Sequence, residues 1–236
     1  LPCNLSDAEA VSALPKQALE AMGAVDILVN NAGITRDNLF MRMSDDEWQS
    51  VIDVNLSATF RLCKGVLRGM MKARWGRIIN ISSIVGATGN PGQANYAAAK
   101  MGIAGLSRIV AMEGARKNVR SNIIAPFAWT RMIASIPVKD EAGAERVERM
   151  RTGMRADQVA QLAVTLCADG AKHVNGQIFS VRGNEVVLFS QPRPVKSVSR
   201  MEGWTPETLI EQGLSAMEGS FTDLGATTSV FPYPPV

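Results

Sequence analysis

The chain has 236 residues, 46% of them hydrophobic and 20% charged, the composition of an ordinary globular protein with enough apolar side chains for a full core. Its net charge is only +3, no apolar run approaches the roughly 20 residues needed to cross a bilayer, and its three scattered cysteines form no C-x-x-C pair. These features exclude a membrane span, a strongly basic nucleic-acid binder and a disulfide scaffold, and they make the cytoplasm the expected compartment, with buried thiols.

In chain order, "VDILVNNAG" (25–33) is a short apolar run that stops at Asn-Asn-Ala-Gly, which predicts a buried parallel strand ending in a turn. "MSDDEWQSVIDVNLSATFRLCKGVLRGMMKA" then offers Ser44 and Glu47 in capping-box spacing and continues with helical periodicity, so one long helix is expected over about 44–73. "GRIINISS" (76–83) reads as a second buried strand and "GATGNPGQ" as a loop rich in turn residues. A helix over about 95–117, a strand at "VRSNIIA" (119–125), a polar flap over 126–155, a helix over about 157–168 and a strand at "GQIFSV" complete the pattern. Strand and helix alternate as in a doubly wound parallel α/β sheet, where ligands sit at the carboxyl ends of the strands. After Asn184 the character changes: "NEVVLFSQPRPV" suggests an extra strand, Thr205 and Pro206 open a further helix, and "VFPYPPV" continues neither. The expected division is therefore 1–183 and a C-terminal extension, 184–236.

The chemistry concentrates in "NYAAAK". Tyr96 and Lys100 stand four residues apart on one helical face, with alanines between them that let another molecule approach. A surface helix with a solvated lysine would give the same spacing. Ser83, however, ends a strand thirteen residues before Tyr96, Asn55 lies within the preceding helix, and Asn30-Asn31-Ala32-Gly33 ends the strand before that. His173, the single histidine, lies in the polar "GAKHVNG" and leaves no triad and no His-rich zinc site, so no metal is expected. Between residues 61 and 120 eleven Lys/Arg face a single acid, Glu113, which is either a solvated face or one suited to an anionic partner.

Taken in order, Asn30-Asn31-Ala32-Gly33, Asn55, Ser83 and Tyr96-x-x-x-Lys100 resemble the short-chain dehydrogenase/reductase family, from residue 1 to about 183. The resemblance implies a Rossmann-type fold, a nicotinamide cofactor (NADP or NAD, with NADPH slightly preferred) and a catalytic set of Asn55, Ser83, Tyr96 and Lys100. Reduction of a ketone needs a hydride and a proton for the developing alkoxide. A phenol with pKa near 10 holds its proton too firmly, and an ammonium one turn away is expected to lower that value. Ser83 would then hydrogen-bond the substrate oxygen, Lys100 would also hold the nicotinamide ribose, and Asn55 would support a water chain to Lys100. Carried over in the same way, the cofactor contacts are Asn4, Leu5, Asn31, Ala32, Gly33, Tyr96, Lys100, Pro126 and Thr130. The family usually has glycine after that proline, where this chain has Phe127.

Within the family, "NNAGITRDNLFMRMSDDEW" and "GRIINISSIVGATGNPGQANYAAAK" look most like bacterial 3-oxoacyl-ACP reductases. "AMEGARKNVRSNIIAP" and "VTLCADGAKHVNGQIFSV" lean toward the (3R)-hydroxyacyl-CoA dehydrogenase domain of type 2 multifunctional β-oxidation proteins. The implied reaction interconverts 3-oxoacyl and 3-hydroxyacyl thioesters. Arg74 and Lys117 match positions used for docking an acyl carrier protein, and a homodimer or homotetramer formed through the two long helices is expected. A reductase of another ketone and a non-catalytic oligomerisation or scaffold subunit are the alternatives. The family's glycine-rich G-x-x-x-G-x-G turn belongs several tens of residues before "NLSD" (4–7), so the sheet is expected without its N-terminal βαβα unit. The chain would then be part of a longer product or a shortened descendant that has lost dehydrogenase function.

Overall fold

The computed structural model describes residues 1–130, 134, 140–225 and 227–232, and for 141–143, 146 and 228 the backbone alone. Five strands, β1 (Ile27–Asn30), β2 (Gly76–Ile81), β3 (Val119–Ile124), β4 (Ile178–Arg182) and β5 (Glu185–Leu188), form one sheet in the order β1-β2-β3-β4-β5. The first four run parallel and β5 returns antiparallel to β4. The expected α/β fold is therefore present. Parallel neighbours need helical crossovers, and the helices divide between the two faces. Cys63, Val66, Met70, Ile78, Val110 and Val119 form a core on one face, and Ile79, Ile124, Leu166 and Val181 form another on the opposite face. Adjacent Ile78 and Ile79 point to opposite sides of β2, so this central strand reads as a continuous apolar run.

The expected helix over 44–73 is one helical run with a π-wound middle: α2 (Asp45–Ile52), a π turn (Asp53–Ser57) and α3 (Ala58–Ala73). Ser44 and Glu47 cap it reciprocally, as their spacing predicts. Before β1 lies α1 (Ala8–Met22), which the sequence reading missed. Asp7 caps it by accepting from Glu9 and Ala10, and Gly23 ends it at φ 78°. α1 crosses α3 where Pro15 meets Gly65; a Cβ on Gly65 would lie 2.4 Å from the proline ring.

Three expectations need correction. "VDILVNNAG" is not fully buried: among the described residues β1 pairs only with β2, and Ile27 and Val29 are each 47% exposed. The loop "GATGNPGQ" begins later than expected, because Ser83 caps a short helix, α4 (Ile84–Thr88), that takes in Gly86, Ala87 and Thr88. Only one thiol is fully buried: Cys63 sits in the core, where burial raises its pKa to about 11, while Cys3 and Cys167 are half-buried. The polar flap expected over 126–155 lies partly outside the described residues; within it, Glu141–Gly153 is helical. No helix among the described residues is long and apolar enough to cross a membrane.

Candidate active site

The carboxyl ends of β1, β2 and β3 point to the same end of the sheet, and each is followed by a segment singled out from the sequence. After β1, Gly33 and Ile34 meet Asn55 from the π turn: Asn55 Nδ2 donates to Ile34 O at 2.8 Å and Asn55 Oδ1 accepts from Ile34 N at 2.9 Å. A π turn shifts the side-chain phase of a helix, which is how Asn55, 1% exposed, faces inward at a place where α2 and α3 both pack. After β2, Ser83 leaves extended backbone to cap α4, with Val85 N donating to its Oγ at 3.2 Å.

Tyr96 and Lys100 enter from α5 (Ala94–Gly114). Lys100 is 3% exposed; its Nζ donates to Ile81 O at 2.8 Å and lies 5.6 Å from the centre of the Tyr96 ring. The Tyr96 phenol lies near enough to the Ser83 hydroxyl for that group to act on its pKa. Tyr96 thus neighbours both Ser83 and Lys100, and Lys100 meets Asn55 at the small space beside Gly33. A side chain at residue 33 would obstruct it, since a Cβ there would sit 2.7 Å from Asn55 Oδ1 and 3.4 Å from Lys100 Nζ. Gly33→Ala is therefore expected to lower kcat/KM at least tenfold and destabilise the fold by about 1–3 kcal/mol. Gly69→Ala, on the exposed face of α3 with nothing within 4 Å of its Cβ, should change neither activity nor, unfavourably, the melting temperature. Equal behaviour of the two variants in a turnover assay and a thermal melt would refute the crowding argument.

The electrostatics differ from expectation. Burial pushes the Tyr96 phenol above its ordinary value, Asp37 adds to the rise, and the nearby Ser83 hydroxyl opposes it. Burial likewise pulls the Lys100 ammonium down to about 8. Desolvation disfavours both charged forms, and Lys100, on which the expected low phenol pKa rested, is not among the groups that shift the phenol. The result at neutral pH is a protonated phenol beside an ammonium that is still mostly charged.

Two positioning residues escaped the sequence reading. Asn95 is fully buried; its Nδ2 donates to Arg36 O and Glu47 O, both at 2.9 Å, and its Oδ1 accepts from Tyr96 N at 2.7 Å. Ser82 donates from its hydroxyl to Lys100 O at 2.7 Å. The first tethers the start of α5 to the turn after β1, and the second holds its next turn against β2. An asparagine at the first turn of a helix, directly before the tyrosine, was the available signal.

The remaining predicted residues fall into two places. Leu5, Asn31 and Ala32 line one side of a groove of about 360 Å³ along β1, α1 and α3, and Asn4 lies beside Leu5 in an Asx turn, its Oδ1 accepting from Ser6. Pro126 and Thr130 follow β3 at the active end, with Thr130 exposed. Arg74 and Lys117 do not join the site: both are exposed, and they precede β2 and β3 at the amino end, a strand length of roughly 20 Å away from Ser83.

A family model described as "Enoyl-(Acyl carrier protein) reductase" matches residues 1–183. The chain is 45% identical over 186 residues to the 3-oxoacyl-[acyl-carrier-protein] reductase FabG of Vibrio harveyi, covering 78% of this chain and 75% of that one. It is 47% identical over 183 residues to the same-named protein of Chlamydia trachomatis, covering 76% and 73%. A crystal structure of a short chain dehydrogenase from Mycobacterium avium superposes with a TM-score of 0.78 at 33% identity, over 94% of this chain and 74% of that one. Matched over most of its length in sequence and in fold, the chain belongs to the short-chain dehydrogenase/reductase family and is a nicotinamide-dependent oxidoreductase.

Proposed function

We propose that this protein reduces 3-oxoacyl thioesters, and that Tyr96 supplies the proton, Ser83 holds the ketone oxygen, Lys100 charges and orients the site and Asn55 fixes the turn at Gly33. The observation that carries the reading is the nearness of the Ser83 hydroxyl to the Tyr96 phenol, because two neighbouring hydroxyl groups can both donate to a carbonyl oxygen that becomes an alkoxide. The family model's description speaks of an enoyl reductase, whereas the relatives at 45% and 47% identity are named as 3-oxoacyl reductases, and the paired donors favour the latter. Nicotinamide, when bound, supplies the hydride. Leu5, Asn31, Ala32 and Gly33 would hold it together with Asn4, Pro126, Thr130, Tyr96 and Lys100; the groove beside Leu5 and the missing Cβ at Gly33 make room for such a group. NADPH is the reading for the cofactor type, tested by comparing turnover of a short 3-oxoacyl thioester with NADPH and with NADH.

Residues 1–183 form the catalytic domain in this reading and 184–236 its extension, in a cytoplasmic homo-oligomer. An apolar groove of about 480 Å³ between α3 and α5, lined by Phe60, Leu67, Met71 and Ile109, is the face through which copies would pair; Phe60 and Ile109 are 46% and 51% exposed in the single chain. Carrier docking at Arg74 and Lys117, at the far end of the sheet, would then serve the site of a neighbouring copy. Reversing both to glutamate is expected to raise KM for an acyl-ACP substrate about tenfold or more, ~1.4 kcal/mol, and to leave a short uncharged thioester nearly unaffected. Added salt should mimic the change, since exposed charges are screened beyond roughly 8 Å. Equal losses on both substrates would remove the docking role.

A further inference from the structure

The family match ends at residue 183, yet the chain beyond it returns to the active site. β5 leads to Phe189, which lines a small cavity of about 30 Å³ together with Ser83, Gly86, Lys100 and Met101. Further on, the helical turn Thr227–Val230 packs on α4, the helix that starts at Ser83, and Thr227 Oγ1 lies 3.0 Å from Thr88 Oγ1. Phe231 closes that turn by donating its N–H to Thr227 O at 3.0 Å. Its ring meets Phe127 edge-on at 5.1 Å and leans on Phe189 at 6.4 Å. The Arg182 guanidinium lies 5.4 Å from the centre of the Phe231 ring and 6.0 Å from that of Phe127, which fixes the cluster to the end of β4.

Two features of this chain therefore meet. Phe127 stands where the family usually has glycine, and the ring that packs on it comes from beyond residue 183, where the family model's match ends. All three phenylalanines are half-buried, so each keeps apolar surface beyond what the cluster covers. Phe189 reaches the Ser83 side of the site directly, Phe231 packs on it from the turn beside α4 and Phe127 packs on Phe231, so a carbonyl held by Ser83 and Tyr96 would extend a substituent toward this cluster.

We propose that Phe231, carried back to α4 by residues 227–231, forms with Phe127 and Phe189 an aromatic wall that limits the length of the acyl group accepted at this site. The wall rests on the assignment of Ser83 and Tyr96 as the groups that bind the ketone. Aromatic rings suit the task because they present large, stiff apolar faces with few rotamers to lose. A group polar along its length would gain nothing from them, so the substrate class is apolar 3-oxoacyl chains.

The test is a kcat/KM series on 3-oxoacyl thioesters of four to twelve carbons, for wild type, Phe231→Ala, Phe231→Trp and Tyr96→Phe, in the full chain. Phe231→Ala is expected to raise the ratio of twelve-carbon to four-carbon activity about tenfold or more, and Phe231→Trp to lower it, with nicotinamide affinity unchanged in both. A ratio constant within about twofold in both variants would show that the segment only stabilises the fold and would overturn the proposal, as would movement toward the short chain in Phe231→Ala. If that variant does not fold, Phe231→Leu, which keeps an apolar side chain without the ring, gives the same comparison. Tyr96→Phe separates the two assignments: if it stays active, the site itself is misassigned; if it is inactive while the chain-length ratio ignores residue 231, only the wall fails.

Discussion

Tyr96→Phe is expected to lower kcat for reduction of a 3-oxoacyl thioester by about 10²- to 10⁴-fold, the usual contribution of a positioned proton donor. The substitution removes one oxygen and keeps the ring that packs beside Lys100, so neither the helix nor the cofactor groove should change, and nicotinamide affinity should stay within a few-fold of wild type. The direction of the Tyr96 pKa sharpens the expectation. Burial raises it, so the phenol is protonated at neutral pH and ready to act as the acid in reduction. Oxidation of a 3-hydroxyacyl thioester needs the phenolate, and its rate should therefore climb through the alkaline range where that of reduction does not. Steady-state rates in both directions between pH 6 and pH 10 would show it. A phenylalanine variant that turns over within a few-fold of wild type, or parallel pH profiles in the two directions, would take the proton-donor role away from Tyr96.

The parts of this molecule legible from sequence are those where local pattern and tertiary role coincide. Apolar runs ending in turns gave β1, β2 and β3; the Ser44–Glu47 spacing gave the start of α2; the four-residue spacing of Tyr96 and Lys100 gave a shared face. What was not legible depends on partners distant in the chain. Nothing in "NLS" around Asn55 announces a π turn, which is a local widening sustained by contacts with α5 and with the backbone of Ile34. The role of Asn95 rests on carbonyls 59 and 48 residues away. The electrostatic misjudgement has the same origin: spacing along a helix reveals that a lysine stands near a phenol, but not that both are buried, and burial set the direction of both shifts. α1 is a different case. Its Asp7 cap and Gly23 stop were present in the sequence, and its mid-helix Pro15 is tolerated because it lies on a face packed against a glycine of α3.

Lys100→Met should abolish activity and, at neutral pH, stabilise the fold. The lysine is 3% exposed and its pKa falls from an ordinary 10.5 to about 8, with desolvation as the cause. At about 1.4 kcal/mol per pKa unit, keeping this ammonium buried costs about 3 kcal/mol wherever both folded and unfolded forms are protonated, that is below pH 8. Methionine has similar length and carries no charge, so it removes that cost. It also leaves Ile81 O without its donor, a loss of about 1–2 kcal/mol, and the net gain near pH 7 is then about 1–2 kcal/mol. The sign follows from proton binding: between pH 8 and 10.5 the unfolded chain binds the proton that the folded chain releases, so wild-type stability rises with pH across this window while that of the variant does not. The advantage of the methionine variant should shrink by about 3 kcal/mol over that range and turn into a deficit set by the lost hydrogen bond. Titrating groups remote from residue 100 behave alike in both proteins and cancel in the difference. Urea unfolding of the pair at intervals from pH 7 to 10.5 measures it. A difference that stays flat with pH would mean that Lys100 is solvated in the folded protein, and an active methionine variant would mean that the site needs no ammonium; either outcome would remove the reason for burying an ionisable group beside Tyr96.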